Sequence, residues 1–246
     1  MREYAVEFRD VTFGFADKTV FKDLSIAFVR SEFTAIVGAS GEGLSTLLKL
    51  ADGLYSPQGG TIITAGIDLT AAKKPELMKM KSRNGFVFQD DALLSSRSAY
   101  QNLSLHAKYN THKPDAEIDA EITAHAAHLG ISKERLLTAR PNVMNNREKR
   151  FVNLMRATLH RPEILFLDSV FDGVDQQTDS MIRREICRLV TDNAAMTVIA
   201  VCSKISEFKL LAQRVVAMRD HAIYFDGTMD EYKQRQEDDD YLKEFL

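Results

Sequence analysis

The sequence predicts an α/β fold, and three observations predict it. A short apolar run, Phe33-Thr34-Ala35-Ile36-Val37, ends in a glycine-rich turn that leads into Ser45 to Leu54, where apolar residues recur at helical spacing. Three further strand candidates follow, at Glu163 to Leu167, Met196 to Cys202 and Arg214 to Met218. A helical pattern over Thr178 to Val190 separates the first two, which suits parallel strands joined by a crossover. Between Ala92 and His160 the character is helical, so a helical subdomain is expected to interrupt the sheet.

The remaining elements follow in chain order. Ala5 to Phe28 alternates apolar and polar positions around Ala16-Asp17-Lys18, the pattern of a half-buried antiparallel hairpin. Gly85-Phe86-Val87-Phe88 reads as a strand that ends at Gln89. Ala116 to Leu129 places Ile118, Ile122, Ala126 and Leu129 on one helical face, and Gly130 stands where a C-cap belongs. Phe151 to His160 reads as a helix, with Pro162 beyond its end. The run Glu237-Asp238-Asp239-Asp240 reads as a solvated tail.

Composition narrows the function classes. The 246 residues are 45% hydrophobic, enough for a sizeable core and for one domain spanning 1–246. A formal charge of −3 argues against a nucleic-acid binder. The longest apolar stretches, such as Thr197 to Cys202, fall far short of the roughly 20 residues a membrane span needs. Met1 to Asp10 is charged and lacks the apolar region of a signal peptide. Cys187 and Cys202 have no CxxC spacing and read as reduced thiols. The expectation is a soluble, intracellular chain that depends on another protein if it acts at a membrane.

Gly38-Ala39-Ser40-Gly41-Glu42-Gly43-Leu44-Ser45-Thr46 resembles a Walker A loop, GxxxxGK[ST], with leucine in place of lysine. Ile164-Leu165-Phe166-Leu167-Asp168 resembles a Walker B strand, Gln89 a Q-loop glutamine, and Asp172-Gly173-Val174-Asp175 a D-loop. Arg156-Ala157 with Pro162 matches the helix that follows an ABC signature. In order and spacing the motifs resemble those of ABC ATPases, from about Phe8 to about Thr228. Phe88 to Leu94, Tyr100 to Leu103, Ser169 to Asp175 and the Phe245-Leu246 ending look most like the ATPase subunits of Mla-type lipid transporters. The resemblance implies an ABC-ATPase, P-loop NTPase-like α/β core with an antiparallel β portion and an inserted helical subdomain.

A glycine-rich loop backed by a helix N-terminus cradles phosphates through backbone N–H groups, whatever its side chains. Gly38, Ser40, Gly41, Gly43, Ser45 and Thr46 are therefore candidates to hold ATP, with Ser45, Gln89 and Asp168 candidates for its Mg²⁺. Phe15 matches an aromatic position on which adenine stacks in the family. Stacking is the favoured reading, since such a contact contributes roughly 1–3 kcal/mol, and the alternative is an edge residue covering the hairpin.

Four departures bear on chemistry. Leu44 replaces a cation that reaches the β- and γ-phosphates, a loss of about 10- to 150-fold in binding. Lys49, one turn on, reads as a surface lysine rather than a substitute. Ser169 stands where the family carries the glutamate that orients or deprotonates water, a contribution of about 10²- to 10⁴-fold. Ser203 stands at the family's switch histidine and also reads as a plain strand-end residue. The LSGGQ signature falls on Met144-Asn145-Asn146-Arg147-Glu148. There Asn145 retains a donor, Asn146 tolerates unusual backbone angles, and Arg147 reads as a surface ion pair rather than a cation for a partner's phosphate. His125 and His128, one turn apart, read as solvated helix histidines.

The expected function is a degenerate ATP-binding subunit of an ABC transporter. It would bind nucleotide weakly and partner a membrane permease, as a homodimer or with a second ATPase chain, at the inner face of the cell membrane. The alternative is a slow but genuine ATPase whose missing groups come from a partner chain.

Overall fold

The computed structural model describes residues 3–16, 18–110 and 113–246. β1 (Tyr4–Phe15) and β2 (Lys18–Val29) form the expected antiparallel hairpin, and the turn residue Asp17 lies outside the described residues. β3 (Phe33–Gly38) runs into α1 (Leu44–Ala51), followed by β4 (Gly59–Thr64), β5 (Ile67–Asp68), α2 (Lys74–Lys81) and β6 (Asn84–Val87). The helical portion comprises α3 (Ala99–Asn110), α4 (Asp115–His128), α5 (Lys133–Thr138), a 3-10 turn at Pro141–Val143 and α6 (Asn146–Thr158). The chain then alternates through β7 (Ile164–Asp168), α7 (Gln176–Asp192), β8 (Thr197–Val201), a 3-10 turn at Ile205–Glu207 and β9 (Arg214–Arg219). It ends with β10 (Ala222–Thr228), α8 (Met229–Gln236) and α9 (Asp240–Lys243).

Two sheets result. One is antiparallel, in the order β2-β1-β4-β5. The other runs β10-β9-β3-β8-β7-β6 and is parallel except for its β10 edge. Strand periodicity divides the second sheet between two cores. Phe33, Ala35, Val37, Leu165, Leu167, Val198 and Ala200 face a core shared with the helical portion and α7. Ile36, Ile164, Phe166, Ile199 and Val201 face α1 and the antiparallel sheet. Both faces are covered, so these strands read as continuous apolar runs rather than as alternation.

β4, β5, α2 and β10 were not legible in the sequence. α2 buries only Met80 and so lacks an apolar stripe, and β10 alternates between exposed and half-buried positions at a sheet edge. The acidic run near the end needs correction as well. Asp239 is an N-cap that accepts hydrogen bonds from the Tyr241 and Leu242 amides at 3.1 and 3.3 Å, and from the Tyr224 hydroxyl at 2.8 Å. Leu242 and Phe245 beyond it are buried, so the segment is docked rather than a free tail.

His125 is corrected too. It is largely buried, with Nε2 2.8 Å from Oε1 of Glu185 on α7. Arg188 donates to the same oxygen at 2.6 Å, and the exposed His128 lies 3.5 Å from the other. Burial works against the charge on Glu185, but hydrogen bonds from His125 and Arg188 outweigh it and hold the carboxyl down at about 2. This cluster ties α4 of the helical portion to α7 of the sheet layer. Because the folded-state value lies below the ordinary 4.5, the stabilisation is complete above that pH and disappears as pH falls towards 2. Glu185→Gln is expected to cost roughly 3 kcal/mol at neutral pH. In urea denaturation the difference from the native chain should close between pH 4.5 and 2.

Candidate functional site

The carboxyl ends of β3, β6, β7 and β8 lie together because parallel strands point their ends one way, and loops carrying the motif residues leave each of them. Gly38 closes β3, Ser40 and Gly41 lie on the exposed crest of the loop, and Thr46 is half-buried on α1. Two of the glycines are required by space. A Cβ on Gly38 would lie 2.9 Å from the Met218 carbonyl. Gly43, the N-cap of α1, has φ +87°, and a Cβ there would lie 2.6 Å from Val20. The loop thus leads into a helix N-terminus in which neither an acidic first turn nor a side-chain cap occupies the free amides.

The structure unites Ser45 and Asp168. The serine hydroxyl donates to the carboxylate at 2.7 Å, from the first turn of α1 to the end of β7. Burial raises the Asp168 pKa, the Ser45 hydrogen bond and the charge of Lys49 lower it, and Asp90 and Asp172 push it up again. Lys49 is half-buried, and its charge reaches into the site. The glycine loop and the hydroxyl–carboxylate pair fit a nucleotide and its Mg²⁺: amides for phosphate oxygens, and two hard oxygen donors for the ion.

Leu44 turns away from that role. Its Cδ atoms lie against Gly38, and the side chain packs on the core that contains Phe21 and Leu47. Ser169 is buried at the end of β7 with φ +49°, its amide donating to the Val201 carbonyl at 3.1 Å. Gln89 and Ser203 meet on a residue that sequence reasoning did not assign a role. Ser203 Oγ donates to Asp172 Oδ1 at 2.8 Å, and Gln89 Nε2 to Asp172 Oδ2 at 3.1 Å. The plain strand-end reading of Ser203 is therefore incomplete. Phe15, 47% exposed, makes edge-to-face contacts with Phe13 and Tyr55 at 4.9 and 5.4 Å, so the ring covers the hairpin and still presents surface to solvent.

The signature segment folds onto itself. Asn145 caps α6 by accepting from the Glu148 amide at 2.8 Å, and Glu148 returns the contact to the Asn145 amide at 3.0 Å. Arg135 binds both oxygens of Glu148, at 2.7 and 2.9 Å. Asn146 starts the helix without a positive φ, and Arg147 forms no ion pair among the described residues, contrary to expectation.

Residues 88–92 are held by α6. Arg150 donates to the carbonyls of Phe88, Gln89 and Asp172 at 3.1, 2.8 and 3.2 Å, and its guanidinium lies 3.1 Å from the Asp91 carboxylate. Asn153 donates to the Phe88 carbonyl at 2.7 Å, and Arg156 to those of Ala92 and Asp91 at 2.6 and 3.0 Å. The far end of the chain touches the glycine loop: the Tyr241 hydroxyl donates to the Met218 carbonyl and accepts from the Ala39 amide at 3.4 Å.

A family model described as ABC transporter matches residues 21–172. The chain belongs to this family. It is 27% identical over 237 residues to the intermembrane phospholipid transport system ATP-binding protein MlaF of Haemophilus influenzae, covering 96% of this chain and 89% of that one. It is 28% identical over 212 residues to the methionine import ATP-binding protein MetN 1 of Rhodopseudomonas palustris, covering 86% of this chain and 56% of that relative. Among solved structures, the dimeric post-hydrolysis state of the ATP-binding cassette MJ0796 with ADP and phosphate matches with a TM-score of 0.81 at 21% identity, over 91% and 98% of the two chains. That likeness concerns the fold. As an ABC cassette the chain is an ATP-binding subunit of a transporter, in a class that pairs with membrane permeases and dimerises. Among the described residues, no helix is long and apolar enough to cross a membrane.

The hold of α6 on residues 88–92 is testable. Arg150→Met leaves four acceptors short of a partner, so hydrogen–deuterium exchange over 86–94 is expected to rise at least 10-fold while exchange in β3 stays unchanged.

Proposed function

We propose that this ABC subunit binds nucleotide weakly, turns it over negligibly, and serves a lipid transporter of the Mla type as a structural or regulatory partner. One observation carries the reading. At the glycine loop, Ser45 and Asp168 are paired as a nucleotide-bound Mg²⁺ needs, whereas Leu44 is half-buried and packs against the core, and Ser169 offers no base. Ser40, Gly41, Gly43, Ser45 and Thr46 would take the phosphates and Phe15 would take the base. Asp168 and Gln89 would complete the ion's surroundings. The bound ion would supply charge neutralisation between phosphate oxygens. The lipid class rests on the Mla-like stretches Phe88 to Leu94, Tyr100 to Leu103 and Ser169 to Asp175 together with the similarity to MlaF; a phosphonate-import relative matches at the same identity over the same share of this chain.

The permease would meet a groove between α2, β6 and the helical portion. The groove holds a cavity of about 820 Å³, floored by the stacked rings of Phe86 and Phe88 and rimmed by Met78, Leu94 and Leu105. These rim residues are 57%, 48% and 42% exposed, an apolar patch open to a partner helix. Of the other apolar residues after Gln89, Leu103 is core, and Leu93 and Tyr100 pack against it. The exposed apolar residues of this face are therefore Leu94 and Leu105 with Met78. Such a partner places the chain on the inner face of the cell membrane. The pairing would be with its own copy or with a second ATPase chain.

Leu94→Glu is expected to weaken copurification with the permease at least 10-fold without lowering the melting temperature, because the side chain is exposed. Calorimetry and a phosphate-release assay test the chemistry. Native protein should bind ATP with Mg²⁺ yet show turnover at background. Leu44→Lys should tighten binding about 10-fold without robust hydrolysis. Turnover near one per second, abolished by Asp168→Ala, would overturn the degenerate reading.

A further inference from the structure

We infer that this site selects a nucleoside diphosphate over the triphosphate, and that Asp172 sets the selection. The inference rests on the reading of the glycine loop as a nucleotide site. In P-loop sites generally, loop amides and the lysine cradle the β- and γ-phosphates, and Mg²⁺ on the loop serine bridges them. The Ser45–Asp168 pair therefore marks where a terminal phosphate would lie.

Here that end of the site is built for something other than an anion. The lysine's position is apolar, and Leu44, half-buried, packs against the core. The two neutral polar side chains that converge on the strand ends, Gln89 and Ser203, both donate to Asp172. Their hydrogens are spent on a carboxylate, which holds a negative charge where a γ-phosphate would need donors. Glu207, four residues beyond Ser203, is pushed up to about 7 chiefly by burial, with Asp172 and Asp179 adding to it against the Lys204 amide and Arg183. Against these stand Lys49 and Arg150, and Arg150 is committed to Asp91 and to three carbonyls. The amides at the start of α1 still serve the phosphates nearer the nucleoside, and the helix dipole supports them. Removing the γ-phosphate thus removes repulsion and costs few contacts, the reverse of a loop that carries its lysine.

The test is calorimetric titration of the full-length chain with ADP and with ATP at one free Mg²⁺ concentration. The native chain is expected to bind ADP about 10-fold or more tightly than ATP, the size of one charge-assisted contact. Asp172→Asn should bring the two dissociation constants within about threefold, chiefly by tightening ATP. Ser203→Ala leaves the charge on Asp172 and should keep the ADP preference, so the assignment stands on two variants and on the native ratio itself. Equal or tighter binding of ATP by the native chain would overturn the inference while leaving the weak-binding function intact. An unchanged ratio in a folded Asp172→Asn protein would also overturn it. Failure of both nucleotides to bind would overturn the proposed nucleotide site, and the selection with it.

Discussion

The carbonyls of Phe88, Gln89, Asp91 and Ala92 all end on side chains of α6, and the position of the helical portion depends on that contact. Residues 88–92 leave the β6 edge of the sheet, and Asp91 and Ala92 both have positive φ, at 61° and 45°. A non-glycine backbone keeps such angles only where its surroundings over-determine them. Arg150, 6% exposed, and Asn153, fully buried, supply that determination. Charge-assisted hydrogen bonds contribute about 1.5–3 kcal/mol each, and leaving the acceptors unpaired would cost a similar amount. Burial lowers the pKa of Arg156, against the fields of Asp91 and Asp90, so it too is a partly desolvated cation held by this segment. A second tie, His125 to Glu185, fastens the other side of the helical portion to α7. Between them, the groove and the strand-end site are set by the same few polar contacts.

The central strands and the loop were legible in the sequence because their causes are local. A strand buried on both faces needs apolar residues throughout, and Ile164 to Leu167 and Thr197 to Val201 show it. The glycine positions follow from backbone angle and close approach, as at Gly43 and Gly38. Asp172 was not legible. Its partners Gln89 and Ser203 come from other strand ends, 83 and 31 residues away, so only the folded sheet brings them together. Arg150 and Asn153 were missed for a related reason. On a helix wheel they are polar residues in an apolar face, and what they bond is backbone, which has no sequence signature. Asp239 lay within an acidic run that reads as solvent-facing, but the next turn folds back and uses its carboxylate as a cap.

Asp168 is kept stable without a cation from position 44. A carboxylate 2% exposed must find hydrogen bonds or a cation, or titrate. Ser45 provides a short one, and Lys49 provides a field from one turn further along α1. Burial and the two neighbouring aspartates oppose them, and the net effect raises the pKa. The pair is therefore a compromise rather than a source of large stability. It leaves a carboxylate for which a divalent cation would be a better partner than a serine hydroxyl.

The same reasoning bears on the signature segment. In a dimer of cassettes this stretch would need free donors and a close backbone to reach a nucleotide on the opposite chain. Here the Asn145 oxygen and the Glu148 carboxylate satisfy each other's backbone amides, and Arg135 holds Glu148 with two hydrogen bonds. Arg135 keeps Glu148 below the usual carboxylate range, with the Asn145 amide and the charge of Arg147 assisting against burial. A capping box stabilises the start of α6, the helix that grips residues 88–92. Substituting glycines into this segment to restore a phosphate-approaching backbone would remove that cap at a cost of about 1–2 kcal/mol. A phosphate-approaching backbone and a capping box would therefore compete for the same turn, and here that turn holds the capping box.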